Sequence, residues 1–447
     1  MDTHTSTDRE RVVIVGLGYV GLTLGVALAR RGVRVHGVER RADVVELTNK
    51  GVPHFSETGL ESALTAVVED GRFSASQTTE GVPPAGYYIL TVGTPLRPGT
   101  HEPRLDMIEH ATHEVAAHMP DGATVILRST VKIGTTRDVV RPILEASGKP
   151  FYLAMCPERT LEGDALRELS LLPQIVGGAD PASAGSAAAL FSRLTNTIVR
   201  VSSPETAEMI KLIDNTSRDV RFAFANEVAR ACDAVGISAN EVIQFGKLGY
   251  VRTDVALPGL VGGPCLEKDP HILNASLDPF GIELEITAAA RKVNERQPKE
   301  TVDAVLEELG RRKQGPYTVL VAGIAFKGRP ETDDLRGSMS LPVIQSLVES
   351  GTVAELRVYD PVVDRESLLA LPYELTVVDD LMAGSVEADL VVIANNHPRF
   401  ATIDLDHMIA TMGDHGFVFD YWNNLGDRPS EVLDGNYFTV GNLAGRF

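Results

Sequence analysis

The sequence is poor in whatever would tie it to an oxidising compartment, a membrane or a polyanion. Only three cysteines, Cys156, Cys232 and Cys265, stand in 447 residues. No two form a C-x-x-C pair, and an odd count gives no disulfide framework, so a reducing cytoplasm is the expected setting. No apolar run approaches the ~18 residues of a membrane span. The first ten residues, MDTHTSTDRE, hold no apolar stretch of the kind a signal peptide needs. Positive charge is scarce too: 42 Lys and Arg against 61 Asp and Glu leave a formal net charge of −19. Such a surface repels phosphate backbones and anionic lipid, which argues against nucleic acid and membrane as partners. An anionic small substrate would need a locally basic pocket. There is no low-complexity tract, no short repeat and no H-E-x-x-H. His110, His113 and His118 read as a solvated helix face, and no metal is expected.

What is present is globular: 43% apolar and 23% charged residues. A single core stops growing beyond about 250–300 residues, so two to four domains are expected. RVVIVGLG (11–18) reads as a strand, VGLTLGVALARRG (20–32) as a helix and VRVHGVE (33–39) as the next strand. YYILTVGTP (87–95) and ATVILRSTV (123–131) add buried strands. Strands alternating with helices indicate a parallel sheet, here to about Val201. Residues 202–236 read as one long helix or two abutting ones, with Ser203 as cap, Pro204 in the first position and Glu205 suiting the dipole. Met209, Leu212, Ile213, Thr216 and Val220 share one face, and Lys211 and Asn215 lie opposite. A second helical stretch, 282–312, contains Pro298. A second α/β pattern begins at 315–328 and continues through a helix at 341–350 and strands at 355–360, 389–396 and 417–422. The expected fold is α/β, with two Rossmann-like domains (1–201 and 313–447) joined by a central all-α domain (202–312).

Gly16-Leu17-Gly18-Tyr19-Val20-Gly21 follows a strand, opens a helix and precedes Glu39 at the end of the next strand. That context is a dinucleotide fingerprint. Gly16 permits the turn, Gly18 lets a pyrophosphate approach, Gly21 lets helix and strand pack, and the helix start holds phosphate. Glu39 would accept ribose hydroxyls and repel a 2′-phosphate, which favours NAD over NADP, although Arg40 and Arg41 weaken that preference a little.

Three further clusters carry chemistry. Gly262-Gly263-Pro264-Cys265 is followed by Lys268 and Asp269, so a thiol on a glycine-rich turn has a cation close by. Alone, a single cysteine is more often a small buried hydrophobe. Glu208, Lys211 and Asn215 share a helix face that, alone, would read as solvated. Cys156-Pro157-Glu158-Arg159-Thr160-Leu161-Glu162-Gly163 places two carboxylates in a loop after a strand. Spacing leaves open whether such an acid is a base or a cap.

GLGYVGL, STVKIGTT, CPERTLEG, AEMIKLIDNTSRDVRFAFANE, GGPCLEKDP and GIAFKGRPETDDLRGS appear in one order. From Val12 to about Asn424 the chain resembles the nucleotide-diphosphosugar 6-dehydrogenases, whose members include UDP-glucose, GDP-mannose and UDP-N-acetylhexosamine dehydrogenases. The resemblance implies four-electron oxidation of a sugar C6 hydroxymethyl with two NAD⁺, on UDP- or dTDP-glucose or a UDP-N-acetylhexosamine. Cys265 matches the nucleophile that forms a thiohemiacetal and then a thioester. Lys211 and Asn215 would stabilise charge on the C6 oxygen. Glu158 and Asp269 would position or deprotonate water, with Thr130 assisting. Thr94 and Thr130 would line the nicotinamide side. Glu162, Gly262 and Lys268 would meet the sugar or tune the thiolate. Lys327 and Arg336 would contact nucleotide and cofactor, and Arg252 resembles an arginine that reaches a neighbouring subunit's substrate. The form CPER resembles the N-acetylhexosamine branch, Glu162-Gly163 the glucose branch. Pro264 and Trp422 depart from both. A homodimer or larger assembly through the central helices is expected.

Two other readings compete. A two-electron β-hydroxyacid-type dehydrogenase would need neither a nucleophilic cysteine nor the 315–447 segment. A non-catalytic nucleotide-sugar-binding protein would not need the Cys265, Lys211 and Asn215 set.

Overall fold

The computed structural model describes residues 10–426 and 435–442; the polar first residues, 1–9, lie outside them. The chain divides into two compact units, one formed by residues up to Asp214 with His271–Glu283, the other by Asn215–Pro270 with the residues from Leu284 onward.

The first unit holds an eight-stranded sheet: β1 (Val12–Val15), β2 (Val35–Val38), β3 (Phe73–Ser76), β4 (Tyr87–Leu90), β5 (Ala123–Leu127), β6 (Phe151–Met155), β7 (Gln174–Gly178) and β8 (Ile198–Val201). Its order is β3-β2-β1-β4-β5-β6-β7-β8. The first six strands run parallel, and β7 pairs antiparallel with β6. Val12 and Ile14 face one core, Val13 and Val15 another. Apolar residues on both sides of β1 are what a sheet covered on both faces demands.

The second unit holds a six-stranded parallel sheet: β9 (Tyr317–Ala322), β10 (Val353–Tyr359), β11 (Thr376–Val377), β12 (Leu390–Ile393), β13 (Phe417–Asp420) and β14 (Tyr437–Thr439). The order, β11-β10-β9-β12-β13-β14, repeats that of the first six strands. Here too Val319 and Val321 face one core, Leu320 and Ala322 the other.

The expected long helix is one element, Pro204–Val235, and a second runs Glu285–Arg312 with Pro298 inside it. Ser203 Oγ accepts the Thr206 N–H at 3.2 Å, as a cap should. One expectation about this helix is corrected. Lys211 and Asn215 are buried, each 7% exposed, while Ile213 is 43% exposed. Glu208, Lys211, Asn215, Asp219 and Asn226 form a buried polar face. Leu212 and Thr216 of the expected apolar stripe are buried too, so the inward face takes in part of both stripes.

Candidate active site

The dinucleotide turn has the geometry its glycines require. Gly16 has φ +97°, a left-handed conformation that suits glycine. A Cβ on Gly21 would lie 1.9 Å from the Gly16 carbonyl oxygen, so helix and turn touch through that hydrogen. A Cβ on Gly18 would meet nothing within 4 Å, and no side chain caps the Tyr19–Arg30 helix. Space and free N–H groups at a helix start suit a pyrophosphate. Glu39 is half-buried, its Oε2 accepting the Leu17 N–H at 3.0 Å and its Oε1 the Arg41 N–H at 3.1 Å. Each oxygen keeps a lone pair that ribose hydroxyls can use. These residues fit an NAD molecule. Tyr19 has a further task. Its hydroxyl bonds Glu57, and both receive the Gly163 N–H, at 3.0 and 2.7 Å. Burial first, then the Glu57 carboxylate, pushes the Tyr19 phenol far above its ordinary value.

The same unit builds the Glu158 loop. Arg128, 2% exposed, donates to Glu158 Oε2 through Nε at 3.0 Å and Nη2 at 2.5 Å. It also donates to the Cys156 carbonyl at 3.0 Å and Gln174 Oε1 at 2.9 Å. Glu158 Oε1 accepts the N–H groups of Arg159 and Thr160 at 2.7 and 2.8 Å. Burial alone would raise the Glu158 carboxyl, but Arg128, these hydrogen bonds and Lys211 outweigh it and hold it below the carboxylate range. Glu158 is thus a fixed anion, better suited to orienting a group than to trading a proton. Sequence reasoning missed Arg128; its signal was a lone charge closing the buried run ATVIL. Glu162 is half-buried four residues on. Thr94, 4% exposed, donates through Oγ1 to the Thr130 carbonyl at 2.5 Å, so these two residues meet as expected. The loop after Thr130 is tied to the long helix by Glu208, which accepts the N–H groups of Gly134 and Thr136 at 2.6 and 2.9 Å and the Thr136 hydroxyl at 2.6 Å. Burial pushes the Glu208 carboxyl up to about 7, although these bonds oppose it.

The three thiols part company. Cys156 and Cys232 are buried and Cys265 is exposed, which removes the reading of Cys265 as a small core residue. Burial pushes the Cys156 thiol up to about 12. Cys265 sits in the short helix Gly263–Leu266. Lys268 Nζ bonds Asp269 Oδ1 at 2.8 Å, and Asn215 Nδ2 bonds Asp269 Oδ2 at 2.6 Å. Asp269, Lys268 and Asn215 therefore form one chain. Burial would lower the Lys268 ammonium, but Asp269 and the Cys265 side chain outweigh it and raise it. Lys268 stays cationic beside the thiol, and a nearby cation favours a thiolate.

Of the remaining expected residues of this unit, Arg252 and Arg336 are exposed and Lys327 and Gly262 half-buried. Arg252 lies over the Tyr250 ring at 5.3 Å. Lys327 lies over the Phe326 ring at 5.2 Å. Arg336 bonds Asp334 through Nη2 at 2.6 Å. Gly262 allows close packing, since a Cβ there would lie 2.3 Å from the Gly337 carbonyl oxygen.

Three family models match along the chain: the NAD binding domain of the UDP-glucose/GDP-mannose dehydrogenase family at 10–195, its central domain at 205–296 and its UDP binding domain at 320–427. The chain belongs to the UDP-glucose/GDP-mannose dehydrogenase family. A UDP-N-acetyl-D-mannosamine dehydrogenase of Pyrococcus horikoshii is 33% identical over 94% of this chain and 97% of its own. An NDP-N-acetyl-D-galactosaminuronic acid dehydrogenase of Ralstonia nicotianae is 32% identical over 91% and 96%. The solved structure of the UDP-D-ManNAc dehydrogenase from P. horikoshii superposes with a TM-score of 0.86 at 31% identity, covering 97% of this chain and 99% of that one. As a member of this family the protein is an NAD-dependent nucleotide-sugar dehydrogenase, and the glycine turn at 16–21 lies in its NAD binding domain. No helix among the described residues is long and apolar enough to cross a membrane.

Proposed function

We propose that the protein oxidises the C6 hydroxymethyl of a UDP-N-acetylhexosamine to the carboxylate, with two NAD⁺ per sugar, through a thioester on Cys265. The observation that carries this reading is the exposed Cys265 thiol beside the chain Lys268–Asp269–Asn215. The sugar class rests on the CPER form at 156–159 and on the names of the two relatives. Glu162-Gly163, the form seen in the glucose branch, keeps UDP- or dTDP-glucose as the second candidate.

The turn at Gly16, Gly18, Tyr19, Val20 and Gly21 holds the cofactor's pyrophosphate, Glu39 its ribose, and Thr94 and Thr130 flank its nicotinamide. NAD⁺ supplies a two-electron acceptor in each half-reaction. Lys211 and Asn215 stabilise the C6 oxygen as it gains negative charge. The Cys265 thiolate adds to the aldehyde carbon; the resulting thiohemiacetal loses two electrons to give a thioester. Water cleaves the thioester, releasing carboxylate and thiol. Asp269 and Glu158 orient or deprotonate that water. Lys268 sets a cation near the thiol. Glu162, Gly262, Arg252, Lys327 and Arg336 meet the sugar nucleotide or cofactor. Functionally, 1–201 binds NAD, 202–312 carries the cysteine loop and 313–447 binds the nucleotide. The free thiols suit a cytoplasmic enzyme.

We read the protein as a homodimer or larger assembly. Ile213, Phe224 and Val235 are 43%, 54% and 69% exposed and lie eleven residues apart along one helix. Three turns separate each pair, so they share a side. Phe224→Asp should lower the mass found by light scattering; a wild-type monomer at micromolar concentration would contradict the assembly.

The test of the activity is a panel of UDP-N-acetylhexosamines, UDP-glucose and dTDP-glucose with NAD⁺, followed at the NADH absorbance. An N-acetylhexosamine should give the highest kcat/KM and two NADH per sugar. Faster turnover of a glucose nucleotide would reverse the substrate assignment, and no NADH with any sugar nucleotide would overturn the activity.

A further inference from the structure

Arg128 and Arg291 are the largest side chains that the described fold buries completely. Arg128 grips the Glu158 loop. Arg291 lies in the other unit, on the Glu285–Arg312 helix, and reaches the cysteine loop. Its Nη1 donates to the Leu266 carbonyl at 3.1 Å and to Asp219 Oδ1 at 2.6 Å, and its Nε donates to Glu295 Oε1 at 3.2 Å. Leu266 is the residue after Cys265 and ends the short helix that carries the thiol.

The other end of that helix is pinned as well. The Gly263 N–H donates to the Gly337 carbonyl at 2.7 Å. Upstream, Asn226 accepts the Gly259 N–H at 2.9 Å and donates to its carbonyl at 3.1 Å. Asn226 also donates to Asn294 Oδ1 at 3.0 Å, and Asn294 donates to Asp219 Oδ1 at 2.9 Å. One buried polar network, Asp219 and Asn226 on the long helix with Arg291 and Asn294 on its neighbour, therefore holds the loop at Gly259 and at Leu266.

Stability alone does not call for this arrangement. Asp219 and Arg291 are 0% and 2% exposed, and replacing such a pair by apolar groups is often neutral or stabilising. Arg291 Nη2 and Asp219 Oδ2 are buried with no hydrogen-bond partner among the described residues. An imperfectly satisfied pair that also bonds the peptide beside the thiol has the form of a locating device.

We propose that Arg291 is a positioning residue for Cys265: held by Asp219, it anchors the Leu266 carbonyl and so sets where the thiol sits. The proposal rests on the nucleophile reading of Cys265. It predicts that loosening Arg291 lowers turnover and thiol reactivity without weakening substrate binding. A misplacement of about 1 Å costs on the order of 100-fold in rate.

The test uses the full-length protein, Arg291→Lys and the double variant Asp219→Asn/Arg291→Met, which leaves no unpaired buried charge. Iodoacetamide labelling of Cys265 against pH is read by peptide mass mapping, with buried Cys156 and Cys232 as internal references. The labelling rate at neutral pH should fall about fivefold or more, with a shifted pH profile. The kcat should fall about 100-fold in the double variant and less in Arg291→Lys, with KM for the nucleotide sugar and NAD⁺ binding unchanged. Wild-type labelling and kcat in both folded variants would overturn the proposal. So would failure of both to fold, since the pair would then be an element of stability. If the wild type reduces no NAD⁺ with any sugar nucleotide, the activity reading fails, while the labelling profile still decides the role of Arg291.

Discussion

The two sheets share a strand order and end their second strand on the same kind of residue, yet they use it differently. Glu39, just after β2, accepts two backbone N–H groups. Asp360, just after β10, accepts four: Ile324 and Ala325 on Oδ2 at 2.7 and 2.9 Å, Val362 and Val363 on Oδ1 at 2.8 and 3.0 Å. A carboxylate has about four lone-pair sites, so Asp360 is saturated and Glu39 is not. The turns differ likewise. After β1 the chain enters a helix at Tyr19, with open space above Gly18. After β9 no helix begins until Ser340, and a Cβ on Gly323 would lie 2.7 Å from the Asn395 side chain. The first crevice is left open for a dinucleotide. After β9 the 323–339 segment supports the cysteine loop through Gly337. One topology thus leaves different space after the first strand of each sheet.

Substitutions can break this contrast. The largest effect is expected at Gly21. Gly21→Val should weaken NAD⁺ binding about 1,000-fold, about 4 kcal/mol, by titration calorimetry. Gly323→Ala should leave NAD⁺ affinity unchanged. Asp360→Ala should cost about 3 kcal/mol of unfolding free energy, because several buried N–H groups lose a charged acceptor. It should leave cofactor preference alone.

Each unit also holds a buried carboxylate whose titration sharpens the comparison. Burial raises Glu208 from 4.5 to about 7 and Asp420 from 3.8 to about 6. Both shifts favour the protonated folded state. Between the unfolded and folded values the unfolded chain binds fewer protons, so the stability each contributes falls as pH rises. Glu208→Gln should remove a loss of about 3 kcal/mol between about pH 4.5 and 7. Asp420→Asn should do the same between about pH 3.8 and 6, both read as differences from wild type in urea titrations. The smallest effect is expected at Glu39. Glu39→Ala should narrow the preference for NAD⁺ over NADP⁺ about tenfold in kcat/KM; comparable values for both cofactors in the wild type would contradict the ribose role.

The central strands were legible as short apolar runs, β1 and β9 closing on glycine, whereas β3, β7, β8, β11 and β14 are short and were not read from the sequence. The glycine turn was legible because strand, G-x-G-x-x-G and acid occur in fixed order. The inward face of the long helix was not. Lys211 and Asn215 look solvated on a helical wheel, and only the partners that distant sequence brings to them, Glu158 for Lys211 and Asp269 for Asn215, explain their burial. Arg128 and Arg291 escaped notice for the same reason: these partners lie 25 to 72 residues away in sequence. Asp360 was read only as the end of a strand, and nothing local distinguishes a saturated carboxylate from a free one.

The account turns on Cys265 carrying the oxidised sugar. The most direct measurement is rapid quenching of wild type and Cys265→Ala with a UDP-N-acetylhexosamine and NAD⁺, followed by peptide mass mapping and NADH counting. The wild type should show a sugar acyl mass on Cys265 and two NADH per uronate formed. Cys265→Ala should bind NAD⁺ normally, carry no adduct and form no uronate. A Cys265→Ala protein that makes two NADH per sugar at near wild-type rate would contradict the account.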